Sequence, residues 1–529
     1  MIIKIPFSEV PQLSARDVDY QSNPQIFEPF LNYLPTLEDL KRAANERKKF
    51  PVSRSTLVEE IKGQYAEFVI SESQSENIAL LESEHTFTII TAHQPALFTG
   101  PLYFIYKIFS AINLAEQMNK EMPDHRFVPV FINGSEDHDL NEINHTSVFG
   151  KEIIWTTDEK GAVGRMSVAG LDAAIESLST ILGTNERSTA IIDSLRQFSS
   201  QSKNYNQFIF LLVNHLFSQY GLIVLTMDSR ALKQLFIPHM KREIVEKLSE
   251  KIVLDAQTSL GRLGYTPQAH AREINLFYLQ DQSRERIIFE DNSYRVLNTD
   301  IKFSEEEILL DLENYPEKYS PNVILRPLFQ ESILPNIAYI GGGGELAYWL
   351  ERKNQFKAFG TFFPALIRRN SAMIVTTSQT KIIEKLGLSV NQLFLEENKL
   401  INEYVSSSTT FDIHLSEESV EIEKTFARIK SKSGQADPTL IEMVEAEKVK
   451  TLKQIEQIES RIKRSIKKKE EVSINQITNL KSKLFANGGL QERHENFLQF
   501  YTTLGDKFFD VLKENLNPLN KEFLVIVAE

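Results

Sequence analysis

Three short stretches of the chain carry enough reactive side chains to do chemistry. The first is Thr91-Ala92-His93-Gln94-Pro95-Ala96-Leu97-Phe98-Thr99-Gly100-Pro101. It follows an apolar, β-like run at 86–90 and opens a helix that is apolar all round, 102–118. Pro101 suits a first helical position, and Gly100 can cap it. A strand that ends in such a loop and feeds a buried helix predicts an anion-binding corner. There, free backbone N–H groups and the helix dipole hold a phosphate or carboxylate. His93 and Gln94 are expected beside that anion, with Thr99 and Gly100 at the helix start. An imidazole next to an apolar helix is costly unless it is paired or used. When neutral it can donate to a developing charge or take a proton from an attacking amine. The bland alternative is a tight turn whose polar groups satisfy one another.

The second stretch, Glu136-Asp137-His138-Asp139, follows another apolar run at 126–132. Carboxylates with an imidazole suit Mg²⁺ or Zn²⁺, but neighbours in a contiguous run point different ways and cannot all reach one ion. In a substrate role, a carboxylate holds an ammonium group and His138 relays a proton. Helix capping would account for one or two of the four. Asn144 and His145 lie just beyond. The third stretch is Gly341-Gly342-Gly343-Gly344-Glu345, after the apolar run 337–340. Four glycines let the backbone approach a phosphate or sugar closely, although a simple turn needs them too. The run lacks the Gly-Lys-Ser/Thr of a Walker loop. Glu345 and Tyr348, one helical step apart, are expected to face one cavity.

These stretches need a scaffold. Strands are predicted at 86–92, 126–132, 221–227, 322–326 and 337–340, with helices between them, and residues 1–84 read as mainly helical. Ligands bind outside the carboxyl ends of such strands. The pattern predicts an α/β fold with a Rossmann-like parallel-sheet core formed by 1–150, 205–260 and 321–385. Two connecting-peptide-like inserts interrupt it. The insert at 151–204 holds a strand pair around 161–164 and a helix near 171–182. The insert at 261–320 holds a hairpin of 287–289 with 294–297. Such inserts commonly cap an active-site mouth. Residues 386–510 are expected to form a helical coiled-coil domain: after 385 glycine nearly vanishes until Gly488, and Leu452, Ile455, Ile458, Ile462 and Ile466 recur at three- and four-residue steps. This imperfect heptad seam predicts a helical hairpin or coiled coil, its earlier helix supplied by 386–405. The basic run 463–469 reads as a solvated helix face. Residues 511–529 form a tail with a short buried strand at 523–527.

Composition narrows the function classes. A length of 529 residues exceeds one compact core. A net charge of −13 argues against a general nucleic-acid or anionic-membrane binder. The absence of cysteine fits a reducing cytoplasm and places any thiol chemistry on a substrate. No signal peptide or membrane span is expected.

The residues resemble the bacillithiol biosynthesis cysteine-adding enzymes, the cysteine ligase family, over nearly the whole chain. The resemblance is carried by Leu97-Phe98-Thr99-Gly100-Pro101-Leu102-Tyr103, by 135–139 with Glu142-Ile143-Asn144, and by Gly161-Ala162-Val163-Gly164-Arg165. It continues through Gly264-Tyr265, 272–278, 344–349 and Asn487-Gly488-Gly489-Leu490-Gln491-Glu492-Arg493. Departures from the pattern stand at Ala92, Pro95 and Gly343. The resemblance implies a ligase that joins L-cysteine to glucosaminyl malate through an amide, and a coiled coil used for homodimerisation. An unactivated carboxylate does not acylate an amine in water, so ATP is expected, and Mg²⁺ could accompany it. No protein metal site is expected. Adenylate-forming enzymes on this type of core carry a His-x-Gly-His corner and a Lys-Met-Ser-Lys-Ser-like loop. Neither occurs here, His93-Gln94 and Arg368-Arg369-Asn370-Ser371 being loose echoes.

On that scheme His93, Glu136, Asp137 and His138 are the catalytic candidates. Gln94, Thr99, Gly100, Tyr103, Asp139, Asn144, Gly341, Gly342, Gly343, Gly344, Glu345, Tyr348 and Asn370 are expected to bind substrate or nucleotide. Lys107, Arg326, Arg368 and Arg369 are the anion partners, with Lys107 alternatively snorkelling from a helix edge. Two readings from other classes stand beside this one: a nucleotide- or sugar-binding scaffold with a dimerising coiled coil, and an amide or glycoside hydrolase. The Gly-x-Ser-x-Gly elbow of one hydrolase class is missing.

Overall fold

The computed structural model of the chain describes residues 1–408 and 414–527. The parts of the expected helical and tail segments at 409–413 and 528–529 lie outside the described residues. The chain divides into two compact units. One comprises Lys4–Ala372 with Gln491–Leu524, the other Met373–Leu490 with the extreme termini.

The larger unit is built on five strands in the spatial order Ala365–Arg368, Asn336–Gly341, Thr86–His93, Arg126–Asn133 and Ile223–Thr226. All neighbours run parallel. Both sheet faces are covered, which is why these strands read as nearly unbroken apolar runs. On one face Ala111, Leu114, Ala115 and Met118 of helix Tyr103–Glu121 pack with Phe87, Ile89, Phe127 and Ile337. Helix Leu37–Arg47 adds Leu40, Ala43 and Ala44 to the same core. Thr86–His93 is the central strand. The chain builds outward from it on one side through Arg126–Asn133, then later fills the other side with Asn336–Gly341. Its carboxyl end therefore lies where the strand order reverses, the usual ligand position in open α/β sheets.

Four of the five expected strands are present within two residues. The fifth, at 322–326, is a turn. Asn322 Oδ1 accepts the backbone N–H of Ile324 at 2.8 Å, and helix Arg326–Ile333 begins at once, with Pro327 in its first turn. The edge strand Ala365–Arg368 was not expected. The strand pair sought around 161–164 lies earlier, as the hairpin His145–Val148 with Lys151–Ile154. Residues Val163–Arg165 instead form a 3-10 turn that backs the loop after Arg126–Asn133. Gly164 N donates to Ser135 O at 2.8 Å and Val163 N to Asp137 O at 2.7 Å. A Cβ on Gly164 would stand 2.4 Å from that of Ser135, so only glycine fits there. Helix Leu171–Leu182 is as expected. Residues 276–321 form an antiparallel sheet containing the expected hairpin, here Ser283–Glu290 with Ser293–Val296.

In the smaller unit, Ser416–Ala436 and Leu440–Lys469 pack as a helical hairpin. The earlier arm is therefore not 386–405. That region instead ends in helix Glu397–Ser407, which packs on Glu471–Leu484 through Leu400, Val405 and Ile477. The hairpin turn is set by Asp437-Pro438-Thr439, where Asp437 Oδ1 accepts Thr439 N at 2.9 Å. Residues Glu522–Val527 form a strand with a buried centre. Among the described residues no helix is long and apolar enough to cross a membrane.

Candidate active site

A cavity of about 990 Å³ opens at the carboxyl ends of the parallel strands. The strand Thr86–His93 contributes His93 and, one step on, Gln94. The loop after Arg126–Asn133 contributes Asp137 and His138, and the loop after Asn336–Gly341 contributes Gly342, Gly343 and Gly344. Parallel pairing places His93 directly opposite Asn133, so the first two loops leave the sheet side by side.

His93 sits at the cavity floor with Nδ1 2.9 Å from Gln94 O and Nε2 3.1 Å from the Tyr103 hydroxyl. Burial, helped by the nearby Lys107 charge, lowers its pKa to about 4. Beneath it Lys107 is 1% exposed. It does not snorkel; Nζ meets both carboxylate oxygens of Glu345 at 2.7 Å and also donates to Ala92 O. Glu345 further accepts the Tyr339 hydroxyl at 2.7 Å and Gly342 N at 2.9 Å. Burial alone would raise the Glu345 pKa, but the Lys107 charge outweighs it and holds the group ionised. One ion pair thus ties the central strand end to the glycine loop.

Gln94 bridges the opposite wall, its amide donating to Asp137 at 3.0 Å and Glu142 at 2.9 Å. Burial would raise the Asp137 pKa. Arg326, 3.8 Å away, and the Gln94 amide overcome that effect and bring it to about 2. His138 Nδ1 lies 2.8 Å from Nη1 of Arg284, which comes from the antiparallel sheet. Burial and then that guanidinium lower the His138 pKa. Arg369 Nη2 donates to buried Glu492 at 2.8 Å, and its guanidinium lies over the Tyr103 ring at 5.1 Å. Its Nε is buried and has no hydrogen-bond partner among the described residues.

Of the residues expected from sequence, the cavity gathers His93, Gln94, Tyr103, Asp137, His138, Arg326, Gly342, Gly343, Gly344, Glu345, Tyr348 and Arg369, with Lys107 immediately behind. The others lie outside its lining. Glu136 turns away to a buried ion pair with Lys233, which also meets Asp228 at 3.2 Å. Asp139 is exposed at the start of the short helix Leu140–Ile143, and Asn144 Nδ2 donates to Trp155 O at 3.2 Å. Gly341 is the last residue of its strand. Arg368 makes a buried two-point pair with Asp17 at 2.9 and 2.8 Å, and Asn370 bonds Ser110 and Asn517 O. The expected anion corner at Thr99 and Gly100 is closed. Asn496 Nδ2 donates to Phe98 O at 2.9 Å and to Gly100 O at 2.8 Å, and the helix begins only at Tyr103.

The sequence reading missed Phe277, Arg284, Arg272, Arg286 and Arg493, all of which line the cavity. The arginine-bearing strand 283–290 was a visible signal, since Arg284 and Arg286 share one of its faces. Arg272, Arg286 and Arg493 are exposed and form no salt bridge among the described residues, although the Arg493 charge helps to keep Asp17 and Glu492 ionised. That donor set suits a polyanion such as a nucleotide phosphate chain or a dicarboxylate. No cluster of three or more His, Cys, Asp or Glu that could hold a metal ion occurs among the described residues.

Comparison with known proteins agrees with this architecture. Residues 3–370 match the family description "Bacillithiol biosynthesis BshC, N-terminal Rossmann-like domain", and 372–528 match "Bacillithiol biosynthesis BshC, C-terminal coiled-coil domain". A relative from Christiangramia forsetii, named "Putative cysteine ligase BshC", is 38% identical over 99% of this chain and 98% of its own. One of the same name from Flavobacterium psychrophilum is 40% identical over 99% and 98%. A third, from Bacillus cereus, is 29% identical over 96% and 97%. With both of its domains matched and its relatives aligned end to end, the chain belongs to the BshC family of bacillithiol biosynthesis.

Proposed function

We propose that the chain is a ligase that joins the carboxyl of L-cysteine to the amine of glucosaminyl malate. The observation that carries this reading is the cavity itself, taken with the family. A polar chamber at the sheet's switch point holds a neutral imidazole, a strongly ionised carboxylate and exposed guanidiniums that form no salt bridge among the described residues. Amide formation needs each of these. The incoming ammonium must be held and deprotonated, the carbonyl oxygen must be stabilised as charge develops, and the malate carboxylates need cations. Asp137, ionised throughout the neutral range, holds the ammonium. Tyr103 and His93 form a hydroxyl–imidazole pair that takes the nitrogen's remaining proton as attack on the carbonyl makes that nitrogen acidic. ATP, when bound, supplies the phosphoryl chemistry that turns the cysteine carboxylate oxygen into a leaving group. Arg272, Arg286 and Arg493 are the residues that could hold its phosphates, and Mg²⁺ would arrive with the nucleotide. The scaffold and hydrolase readings have no specific feature of the cavity in their favour.

The setting is the cytoplasm, in keeping with 529 residues that include no cysteine. The working form is a homodimer joined through the helical hairpin. Helix Leu440–Lys469 buries only Val444 and Ile466, leaving much of its apolar seam partly open.

The test is a mass-spectrometric assay of the full chain with glucosaminyl malate and L-cysteine, with and without Mg-ATP. Product only with ATP, together with AMP or ADP, is the expected result and identifies the phosphate bond that is broken. Product without ATP would remove the nucleotide from the scheme. No product under either condition would overturn the reading. His93→Ala and Asp137→Asn, folded as judged by circular dichroism, should each lower turnover about 100-fold or more.

A further inference from the structure

Two of the three histidines that line the cavity, His93 and His138, are held with opposite polarity, and the partners that hold them leave little freedom. A backbone carbonyl only accepts a hydrogen bond, and a guanidinium only donates. His93 Nδ1 lies 2.9 Å from Gln94 O, so Nδ1 carries the proton and Nε2 presents its lone pair toward the Tyr103 hydroxyl, 3.1 Å away. For His138 the roles reverse. Its Nδ1 lies 2.8 Å from Arg284 Nη1 and must be the acceptor, which leaves the ring proton on Nε2. That Nε2 has no partner among the described residues, and the ring lines the cavity.

Arg284 is well placed to enforce this choice. It is 6% exposed, with Nε 3.1 Å from Ser320 Oγ and Nη2 3.4 Å from Pro321 O. Its guanidinium lies 3.9 Å from the centre of the Phe277 ring, against which the His138 ring also packs at 5.5 Å. A proton on His138 Nδ1 would face an Arg284 N–H. Asp137, Asp139 and Glu285 are the carboxylates whose charge would favour that proton, and Asp137 Oδ1, the first of them in strength, is 3.8 Å away and beyond hydrogen-bond reach.

We propose that Arg284 is a positioning residue that fixes His138 as the neutral Nε2–H tautomer, making His138 a hydrogen-bond donor into the cavity while His93 and Tyr103 form the accepting side. In chemical terms this rests on the ligase reading. His138 donates to an oxygen that gains negative charge as the amine attacks, and it is not the base that deprotonates the amine. A hairpin about 146 residues further along the chain thereby sets the polarity of a strand-end loop.

The assignment is tested by ¹⁵N solid-state NMR of the full chain labelled with ¹⁵N-histidine at pH 8. Signals are assigned by difference against His93→Gln and His138→Gln. The expected spectrum has His138 protonated at Nε2 and His93 at Nδ1, and Arg284→Met converts the His138 signals to a tautomer mixture. A wild-type His138 protonated at Nδ1 overturns the proposal, as does an unchanged His138 pattern in a folded Arg284→Met. The wild-type spectrum decides even where that variant does not fold. Turnover gives a second readout. The glutamine amide nitrogen reaches the Nε2 position and the asparagine nitrogen only the Nδ1 position. His138→Gln should therefore stay within about 10-fold of wild type, and His138→Asn should fall about 100-fold. Asparagine matching glutamine would refute the donor role. If the wild type fails to join cysteine to glucosaminyl malate, the ligase reading fails, and the nitrogen spectrum still judges Arg284 and His138.

Discussion

A lysine in an apolar helix must either reach water or meet a counter-charge, and Lys107 meets Glu345, 238 positions away. Removing Lys107 leaves Glu345, 25% exposed at the cavity wall, without its counter-charge, so Lys107→Met should destabilise the chain by about 3 kcal/mol, the low end for a broken buried pair. Lys107→Met with Glu345→Gln should recover much of that loss. Urea unfolding measures both, and a double variant no better than the single would show that the pair is not the cause. His93 makes a second prediction, whose sign follows from its low pKa. The folded state resists a proton that the unfolded chain accepts near pH 6.5, whereas His93 itself titrates at about 4. Its contribution is therefore intact above pH 6.5 and is lost as the pH falls toward 4. Between pH 7 and pH 4.5, His93→Gln should lose about 2 kcal/mol less stability than wild type. Equal losses would mean that the imidazole is not held neutral.

At the scale of elements, the glycine loop separates packing from conformational need. A Cβ on Gly343 would lie 2.6 Å from the Asp17 carboxylate, which is itself locked in a two-point pair with Arg368. The next glycine, Gly344, has nothing within 4 Å of that position and lies in helix Gly343–Trp349. Gly343→Ala should therefore cost about 1–3 kcal/mol, and Gly344→Ala should be neutral or stabilising by up to about 1 kcal/mol. Thermal melts of the two variants decide the point, and equal shifts would contradict the packing account. The loop also shows what could be read from sequence. An apolar run ending in polar or glycine-rich residues is a local signal, so the strand ends at His93, Asn133 and Gly341 were legible, as were the side chains one or two steps beyond them. The direction in which Glu136 turns was not legible, because Lys233 and Asp228 decide it. Nor was the closure of the Thr99–Gly100 corner, which depends on Asn496, about 400 positions later. The same limit hid the hairpin arm. Periodicity identified the seam on 452–466, but its partner was settled by the Asp437-Pro438 turn and not by the nearest earlier helix.

For the molecule as a whole, the hairpin's surface carries the argument for self-association. In helix Leu440–Lys469, Met443 is 54% and Ile458 48% exposed. They are fifteen residues apart, about four helical turns, and so lie on the same side of the helix. The arm Ser416–Ala436 is tied to this helix by Lys430 and Glu445 at 2.7 Å, yet it buries none of its own residues fully. A two-helix hairpin with a half-covered seam is a poor end state in water, and a second hairpin offers the same chemistry to cover it. Light scattering coupled to gel filtration should give twice the 60.7 kDa chain mass. Met443→Glu with Ile458→Glu should return it to the single-chain value, with the melt of the larger unit changed little, because both side chains are already exposed in the single chain. A double variant that stays dimeric would move the interface off this face, and a wild type of single-chain mass would remove the homodimer altogether. Where the variant is monomeric, its turnover then decides whether pairing matters to the cavity. Every residue named in the cavity lining comes from one chain's larger unit, so the monomer should keep activity within about 10-fold of wild type.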